Sequence, residues 1–244
     1  MSPLVVIPTY QEAENIVDVL ERVRASVPDA GVLVVDDGSP DGTADLAAGV
    51  GERLGGIEVM RRAEKSGLGP SYRAGFAWGL ERGHDVLIEM DADLSHDPAV
   101  LPELIRTVAS GEADLAIGSR YVPGGSVPGW PKHRLLLSQW GNRYVSLLLQ
   151  IPVRDATAGF RAYTAEIVEK VGMDRVRADG YGFQIEMAYE VAKAGGTIRE
   201  VPITFRDRVR GVSKMHPGII TEALWLVTRW GVRDRVRRVR RRSR

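Results

Sequence analysis

The sequence predicts an α/β fold with a mostly parallel central sheet and helices on both faces of the sheet. Short runs rich in β-branched residues alternate with segments of helical periodicity through the first half of the chain, and this alternation is typical of β-α-β units. The chain has 244 residues, of which 44% are hydrophobic and 27% are charged. These values are ordinary for one large globular domain, which we expect over residues 1–232, followed by a basic tail over residues 233–244.

The strands and helices are predicted in regular order. Thr9 and Glu12 stand three residues apart, as in a capping box, so we expect Thr9 to cap the first helix. Asp97 and Pro98 indicate another helix start. Residues 119–134 form a loop rich in glycine and proline, and residues 154–161 read as a polar turn. We predict strands at residues 4–7, 32–35, 57–60, 86–90, 115–117 and 198–204, and helices near residues 12–26, 43–53, 70–81, 98–109, 131–149, 183–194 and 217–230.

The composition excludes several kinds of site. The chain has no cysteine, which excludes disulfides, thiolate metal sites and cysteine nucleophiles and favours a reducing compartment. Its first residues enter a strand directly, so we expect no secretory signal. No stretch reaches the roughly 18 uninterrupted apolar residues of a spanning helix. Residues 135–153 and 219–232 come nearest, and both are amphipathic.

Asp91 and Asp93 form the most informative motif. They follow the apolar run of residues 86–88, so both carboxylates are expected at the carboxyl end of a buried strand, where open α/β sheets bind ligands. Two carboxylates one residue apart can hold a divalent cation, which would neutralise a diphosphate. The alternative is that the segment only forms a turn, because short motifs often occur by chance.

Polar residues also follow the first two strands. Tyr10 and Glu12 lie where the first strand ends, at a position where a base and a ribose could dock. Asp36 and Asp37 come directly after the second strand, in a segment with ordinary turn chemistry. One of these two carboxylates should point inward and would need a partner. A nucleobase or a ribose hydroxyl could be that partner.

Taken together, these motifs resemble those of the inverting nucleotide-sugar glycosyltransferases of family 2, and specifically the polyprenol- and dolichol-phosphate mannose synthases. The resemblance implies a GT-A fold and a catalytic domain over residues 1–232. Asp-Asp-Gly-Ser and Asp-X-Asp mark the broad superfamily, whereas the last of the matching segments is more specific. The segments are PTYQEAEN at 8–15, VVDDGSPDGT at 34–43, DADLSH at 91–96, GSRY at 118–121, DATAGFR at 155–161 and DRVRGVSK at 207–214.

The resemblance implies substrates, a cofactor and roles for individual residues. The donor would be GDP-mannose, the acceptor polyprenyl phosphate and the cofactor Mg²⁺ or Mn²⁺. Some relatives have a metal-binding glutamine where this chain has Ser95, which implies a water-rich coordination sphere here. The implied nucleotide-sugar residues are Pro8, Tyr10, Glu12, Val35, Asp37, Asp91, Ala92, Asp93, Arg120, Arg208 and Lys214; the acceptor-phosphate residues are Arg120, Arg134 and Ser138; the catalytic residues are Asp91, Asp93 and Arg208; and the metal ligands are Asp91 and Asp93.

A phosphate acceptor changes the catalytic groups that such a site needs. The second pKa of a phosphate monoester is about 6, so the nucleophile is already anionic near neutral pH and needs no general base. Repulsion between an anionic acceptor and an anionic donor is then the main obstacle, which calls for fixed positive charge. Arg134 and Ser138 lie one helical turn apart and so share a face.

The C-terminal part of the chain indicates a membrane surface. Residues 229–244 contain nine arginines and one aspartate, which leaves about −7 on the rest of a chain whose net charge is +1. An anionic leaflet attracts such a segment, and the acidic body gives no support for a nucleic-acid partner. We expect interfacial helices near 131–149 and 217–230 and a peripheral location on the cytoplasmic face of the cell membrane. Either these helices alone or an integral membrane partner protein would provide the tether.

Two other functions stay open at this point. The first is a polyprenyl-phosphate glucose synthase, or another membrane-associated sugar transferase of the same family, because donor identity depends on details of the pocket. The second is a non-catalytic nucleotide-sugar-binding subunit, which the presence of both aspartates and the cationic residues disfavours. The histidines show no metal-ligand spacing, so we assign none of them a catalytic role.

Overall fold

The computed structural model describes residues 1–208 and 217–242, and for residues 217–220, 222 and 237–242 it describes the backbone alone. Lys214, an implied phosphate contact, lies outside the described residues. Within the described ranges, no helix combines the length and the apolar character that crossing a membrane requires.

One mixed sheet runs through the described part of the chain. Its strands are β1 (Pro3–Thr9), β2 (Gly31–Asp36), β3 (Ile57–Arg61), β4 (Val86–Glu89), β5 (Leu115–Ser119), β6 (Arg161–Thr164) and β7 (Ile198–Pro202). The spatial order is β3-β2-β1-β4-β6-β5-β7. Neighbouring strands are parallel except at β6, which is antiparallel to both β4 and β5. The predicted α/β class with a mostly parallel sheet is confirmed.

Helices cover both faces of this sheet. One core contains side chains from α1 (Ile16–Ser26), α2 (Thr43–Leu54) and α4 (Leu101–Ala109). The opposite core contains side chains from α3 (Leu68–Glu81), α5 (Lys132–Leu149), α6 (Ala165–Val171), α7 (Gly180–Lys193) and α8 (Pro217–Arg242). A short 3₁₀ turn, Pro98–Val100, leads into α4.

The predicted cap of the first helix is wrong. Helix α1 begins at Ile16, with Asn15 as its N-cap residue. Thr9 stays in β1, and its hydroxyl donates to Asp36 at 2.8 Å, because the neighbouring strand end offers a buried carboxylate. The Glu12 carboxylate accepts from the side-chain amide of Asn15 at 3.0 Å. The other predicted start is confirmed, since the Asp97 carboxylate accepts from the Ala99 amide at 3.0 Å.

Two further features differ from the prediction. The segment predicted as a polar turn at 154–161 ends in the first residue of β6, Arg161. This arginine can enter the sheet because it is fully buried and donates to the carbonyls of Ala156, Ala158 and Gln184. Neither β6 nor α6 was predicted. Helix α8 continues past residue 230 to Arg242, so most of the segment predicted as a separate basic tail is helical.

Candidate functional site

The two carboxylates at the carboxyl end of β2, Asp36 and Asp37, are buried and already have partners within the protein. Asp36 accepts from the Thr9 hydroxyl at 2.8 Å and from the Ser39 amide and hydroxyl at 2.9 and 2.6 Å. Its side chain therefore ties the end of β1 to the turn after β2.

Asp37 holds a different loop. Its Oδ2 accepts from the Ser66 and Gly67 amides at 3.0 and 3.2 Å, and its Oδ1 accepts from the Ser71 hydroxyl at 2.9 Å and lies 3.2 Å from Arg62 Nη1. A carboxylate has about four acceptor positions, and here the protein fills them. Protein groups therefore satisfy the buried Asp37 carboxylate, and a nucleotide contact of Asp37 stays a prediction.

The other implied nucleotide residues lie at the ends of β1 and β2. Pro8 and Tyr10 are partly exposed, and Lys65 Nζ lies 4.6 Å from the centre of the Tyr10 ring. Glu12 is buried. Val35 is fully buried in the core, so any contact of Val35 with a nucleotide would come from its backbone.

Asp91 and Asp93 keep more of their acceptor capacity than the pair after β2. The Asp91 side chain is 37% exposed, and its Oδ2 lies 3.5 Å from His96 Nε2. The Asp93 Oδ1 accepts from the Ser95 amide at 3.0 Å, and its Oδ2 lies 3.0 Å from Arg208 Nη2. A guanidinium thus supplies positive charge at the position where a cation was predicted.

These two carboxylates fit a hard divalent cation that also binds other oxygens. No cluster of three or more histidine or acidic side chains suited to a metal occurs in the part of the chain that the structure describes. Mg²⁺ commonly uses only one or two carboxylates, together with water and substrate phosphates. The donor set of Asp91 and Asp93 therefore suits a cation shared with a diphosphate.

His96, which the sequence analysis assigned no catalytic role, lies beside Asp91. It is buried against Phe160 and Phe205, with ring centres 5.0 and 5.4 Å away. Its Nε2 faces Asp91, while its Nδ1 makes no hydrogen bond to any described residue.

Arg120 is buried and held by an acidic partner. It makes three hydrogen bonds to Asp155, from its backbone amide at 2.9 Å, Nε at 2.7 Å and Nη2 at 2.6 Å, and Nη2 also donates to Thr157 at 2.8 Å. Burial acts to lower the pKa of Arg120, but the hydrogen bonds and charge of Asp155 outweigh it and raise the pKa above its ordinary value. The sequence did not reveal this partner.

The residues predicted to bind the acceptor phosphate are brought together around two aromatic rings. Arg120 lies 5.7 Å and Arg134 lies 3.9 Å from the centre of the Trp130 ring. Arg120 also lies 5.1 Å from the Tyr121 ring, and the Tyr121 hydroxyl donates to Ser138 at 2.6 Å. The structure therefore places these three residues in one cluster.

Asp207 and Arg208 connect this cluster to the aspartate pair. Asp207 accepts two hydrogen bonds from Arg134, at 2.8 and 3.0 Å, and one from Trp130 Nε1 at 3.0 Å. Partial burial acts to raise the pKa of Asp207, but the hydrogen bonds and charge of Arg134 and the hydrogen bond of Trp130 outweigh it and lower the pKa. The next residue, Arg208, contacts Asp93. Neighbouring residues of one segment thus contact both predicted subsites.

Several buried polar side chains lie near Asp91. Tyr72, Glu89 and Gln184 have polar side-chain atoms that make no hydrogen bond of ordinary geometry to any described residue. Burial raises the pKa of Glu89 to about 7, while the charge of Arg161 and weaker contacts with Gln184 and Tyr163 oppose the shift. The sequence analysis singled out none of these side chains.

Comparison with known proteins reveals a family match. The family model described as glycosyl transferase family 2 matches residues 4–172. The chain is 49% identical over 241 residues to the polyprenol monophosphomannose synthase of Mycolicibacterium smegmatis, covering 97% of this chain and 89% of the relative. It is 48% identical over 235 residues to the undecaprenyl-phosphate mannosyltransferase of Micrococcus luteus, covering 96% of both.

More distant proteins share the fold. Identity is 36% over 228 residues with the dolichol-phosphate mannosyltransferase of Pyrococcus furiosus, covering 92% of this chain and 62% of that protein. Among solved structures, glucosyl-3-phosphoglycerate synthase from Mycobacterium tuberculosis, in complex with Mn²⁺, UDP-glucose and phosphoglyceric acid, matches with a TM-score of 0.72 at 18% identity, covering 94% of this chain and 79% of that one.

Proposed function

Because this chain belongs to glycosyl transferase family 2, we propose that it transfers mannose from GDP-mannose to a polyprenyl phosphate with inversion at the anomeric carbon. The products are polyprenyl-phosphate mannose and GDP. The relatives named for mannosyl transfer to polyprenyl and undecaprenyl phosphates cover nearly the whole chain, which supports the sugar and the acceptor class. GDP as the donor nucleotide follows from the resemblance of the motifs.

The observation that carries the proposal is the proximity of an anionic and a cationic subsite. Asp91 and Asp93 provide oxygens for a cation, and Arg120, Arg134 and Ser138 gather about the Trp130 and Tyr121 rings. Asp207 and Arg208 contact one subsite each. This arrangement suits a reaction between a diphosphate donor and a phosphate acceptor.

In the proposed reaction an oxygen of the lipid phosphate attacks C1 of mannose from the face opposite GDP. The bond between C1 and the GDP oxygen breaks, and the electron pair leaves with GDP, so no proton has to move. A bound Mg²⁺ or Mn²⁺ would supply charge stabilisation for the departing diphosphate. Asp91 and Asp93 would hold that ion, Arg208 would contact the diphosphate, and Arg134 would orient the acceptor phosphate.

We also propose that α5 and α8 lie on the surface of a membrane, on its cytoplasmic face. Tyr144 of α5 hydrogen-bonds Thr228 of α8 at 2.8 Å, so the two helices form one surface. Large apolar side chains on that surface are exposed, which is typical of interfacial helices: Leu136, Leu137, Trp140, Leu147, Trp225 and Val232. A polyprenyl acceptor would reach the site from there. An integral membrane partner protein would be an additional tether.

The test is to incubate the purified protein with polyprenyl phosphate and with labelled GDP-mannose or UDP-glucose, with and without Mg²⁺ or Mn²⁺. We expect metal-dependent labelling of the lipid by GDP-mannose alone. Labelling by UDP-glucose would instead support a glucose synthase, and binding of donor without lipid labelling would indicate a non-catalytic subunit.

A further inference from the structure

The loop that joins β3 to α3 carries a lysine to which no role has yet been assigned. Lys65 is exposed, and its Nζ lies 4.6 Å from the centre of the Tyr10 ring. Tyr10 is partly exposed and directly follows β1, at the sheet edge where α/β proteins bind ligands. Neither side chain of this contact is buried, so a ligand from solvent can reach both.

The loop that carries Lys65 is attached to the end of β2 at two places. The Asp37 carboxylate accepts from the backbone amides of Ser66 and Gly67, directly after Lys65, at 3.0 and 3.2 Å. At the start of the loop, the Arg62 amide donates to the carbonyl of the last residue of β2 at 2.8 Å. Because β2 is the neighbour of β1 in the sheet, these bonds hold the backbone of Lys65 beside the end of β1.

The backbone next to Tyr10 is strained. Gln11 has a φ of 54°, in the left-handed region that residues other than glycine rarely adopt, and its amide donates to the Ser39 hydroxyl at 2.9 Å. Leu94, directly after Asp93, has a φ of 61°. Such strain clusters at active sites and ligand clamps, and here it occurs beside both strand ends at which the donor is expected.

A nucleobase would compete with the Lys65 ammonium group for the Tyr10 ring. An exposed cation–π contact is worth less than the stacking of a base on an aromatic side chain, so a base would take the face of the ring. Lysine has a flexible four-carbon stem, and the attached loop keeps the ammonium group close to the ring. The ammonium group would then move to the edge of the bound base, where the polar atoms of the base lie.

We propose that Lys65 donates a hydrogen bond to a carbonyl oxygen at the edge of the donor nucleobase, which stacks on Tyr10. An ammonium group has three donors and no acceptor, so it pairs with a carbonyl and not with an amino group. In guanine this carbonyl oxygen is O6. The inference rests on the proposed function and deepens it, because it names a residue that selects the nucleotide.

The experiment compares GDP, IDP and ADP by calorimetry in the presence of Mn²⁺, with the affinity of ADP obtained from its competition with GDP. IDP has the carbonyl of guanine, and ADP has an amino group in its place. Lys65→Met keeps the length of the side chain and removes its donors. In this variant we expect GDP and IDP to bind about tenfold more weakly, the effect of losing a hydrogen bond from a charged donor, and ADP to change by less than about twofold.

Two further variants serve as controls. Lys65→Arg keeps a charged donor and should keep most of the affinity for GDP. Lys170→Met, at an exposed lysine of α6, should change none of the three affinities. Because both lysines are exposed, the unfolding midpoints of all variants should equal that of the wild-type protein.

The results separate this inference from the proposed function. If Lys65→Met weakens GDP, IDP and ADP by the same factor, Lys65 contacts the ribose or the diphosphate and does not select the base. If it weakens none of them, Lys65 does not bind the nucleotide. If the wild-type protein binds UDP in preference to GDP, the proposed donor is wrong. UDP and CDP, whose bases likewise differ by a carbonyl and an amino group, then decide the role of Lys65.

Discussion

The chain carries two pairs of aspartates at the ends of nearby strands, and the pairs differ in the partners they have. Asp36 and Asp37 are buried, and amides, hydroxyls and one arginine of the surrounding loops occupy their oxygens. Asp91 is partly exposed, and Asp93 has one loop amide and the guanidinium of Arg208. The same residue type in the same place on a sheet can therefore fix loops or remain available to a ligand.

The largest expected effect comes from replacing Asp91 or Asp93, the two aspartates that remain available to a ligand. Asp91→Asn and Asp93→Asn should each reduce turnover roughly 100-fold or more, because a charged oxygen that stabilises the leaving diphosphate is lost. Turnover with GDP-mannose and polyprenyl phosphate at fixed Mn²⁺ measures this effect. Unfolding midpoints should not change. Asp97→Asn, in the same loop, is the control and should keep full activity. Near-normal turnover of Asp93→Asn in limiting Mn²⁺ would contradict the metal assignment.

The second prediction concerns Asp37, one of the two aspartates whose carboxylates hold loops in place. Asp37→Ala removes the carboxylate that accepts from two loop amides and from the Ser71 hydroxyl and that pairs with Arg62. We expect the free energy of unfolding to fall by about 2 kcal/mol, measured by urea denaturation. Asp45→Ala, at a side chain that is 79% exposed, should change it very little. Unchanged stability together with loss of GDP binding would show that Asp37 serves the nucleotide instead.

Arg134 tests whether the cationic cluster serves the acceptor. We expect Arg134→Ala to raise the KM for polyprenyl phosphate about tenfold, since a charged hydrogen bond to phosphate is lost, without changing the affinity for GDP-mannose. Arg143→Ala, on the same helix α5, serves as the control. An equal loss of GDP affinity by calorimetry would place Arg134 on the donor instead.

The smallest expected effect is a decrease in the KM for polyprenyl phosphate, opposite to the increase expected for Arg134→Ala. Asp207 occupies Arg134 with a carboxylate, where we expect the acceptor phosphate, so the acceptor must displace it. Asp207→Asn should lower the KM for polyprenyl phosphate about threefold, because less of the protein has to be converted to a binding-competent form. Asp174→Asn is a surface control. A KM that rises would mean that Asp207 orients Arg134 for the acceptor.

Local patterns predicted the sheet and the location of the site, but not the contacts within it. The strand-end positions of Asp37, Asp91 and Asp93 follow from periodicity and from the rule that α/β sheets bind ligands at that edge. The partners did not follow, because they come from distant parts of the chain. Asp155 lies 35 residues after Arg120, and Asp207 lies 73 residues after Arg134. Spacing along the sequence carries no information about such pairs.

The same reason explains the missed elements. The four residues of β6 begin with an arginine, and a charged residue in a short polar stretch predicts a turn. The strand forms because buried carbonyls satisfy the Arg161 guanidinium, a tertiary effect that strand propensity does not include. The same holds for Thr9, which the local sequence predicts to cap a helix. Its hydroxyl instead donates to Asp36, a residue on the neighbouring strand.

The place of β6 in the sheet has a consequence for the order in which the molecule folds. β6 follows β5 in the chain but lies between β4 and β5, and β5 pairs only with β6 and β7 among the described strands. During synthesis, β1 to β4 can assemble first, while β5 waits for residues that have not yet emerged. Such non-local pairing is slow, so we expect the half of the sheet that contains β5 and β6 to form after β1 to β4.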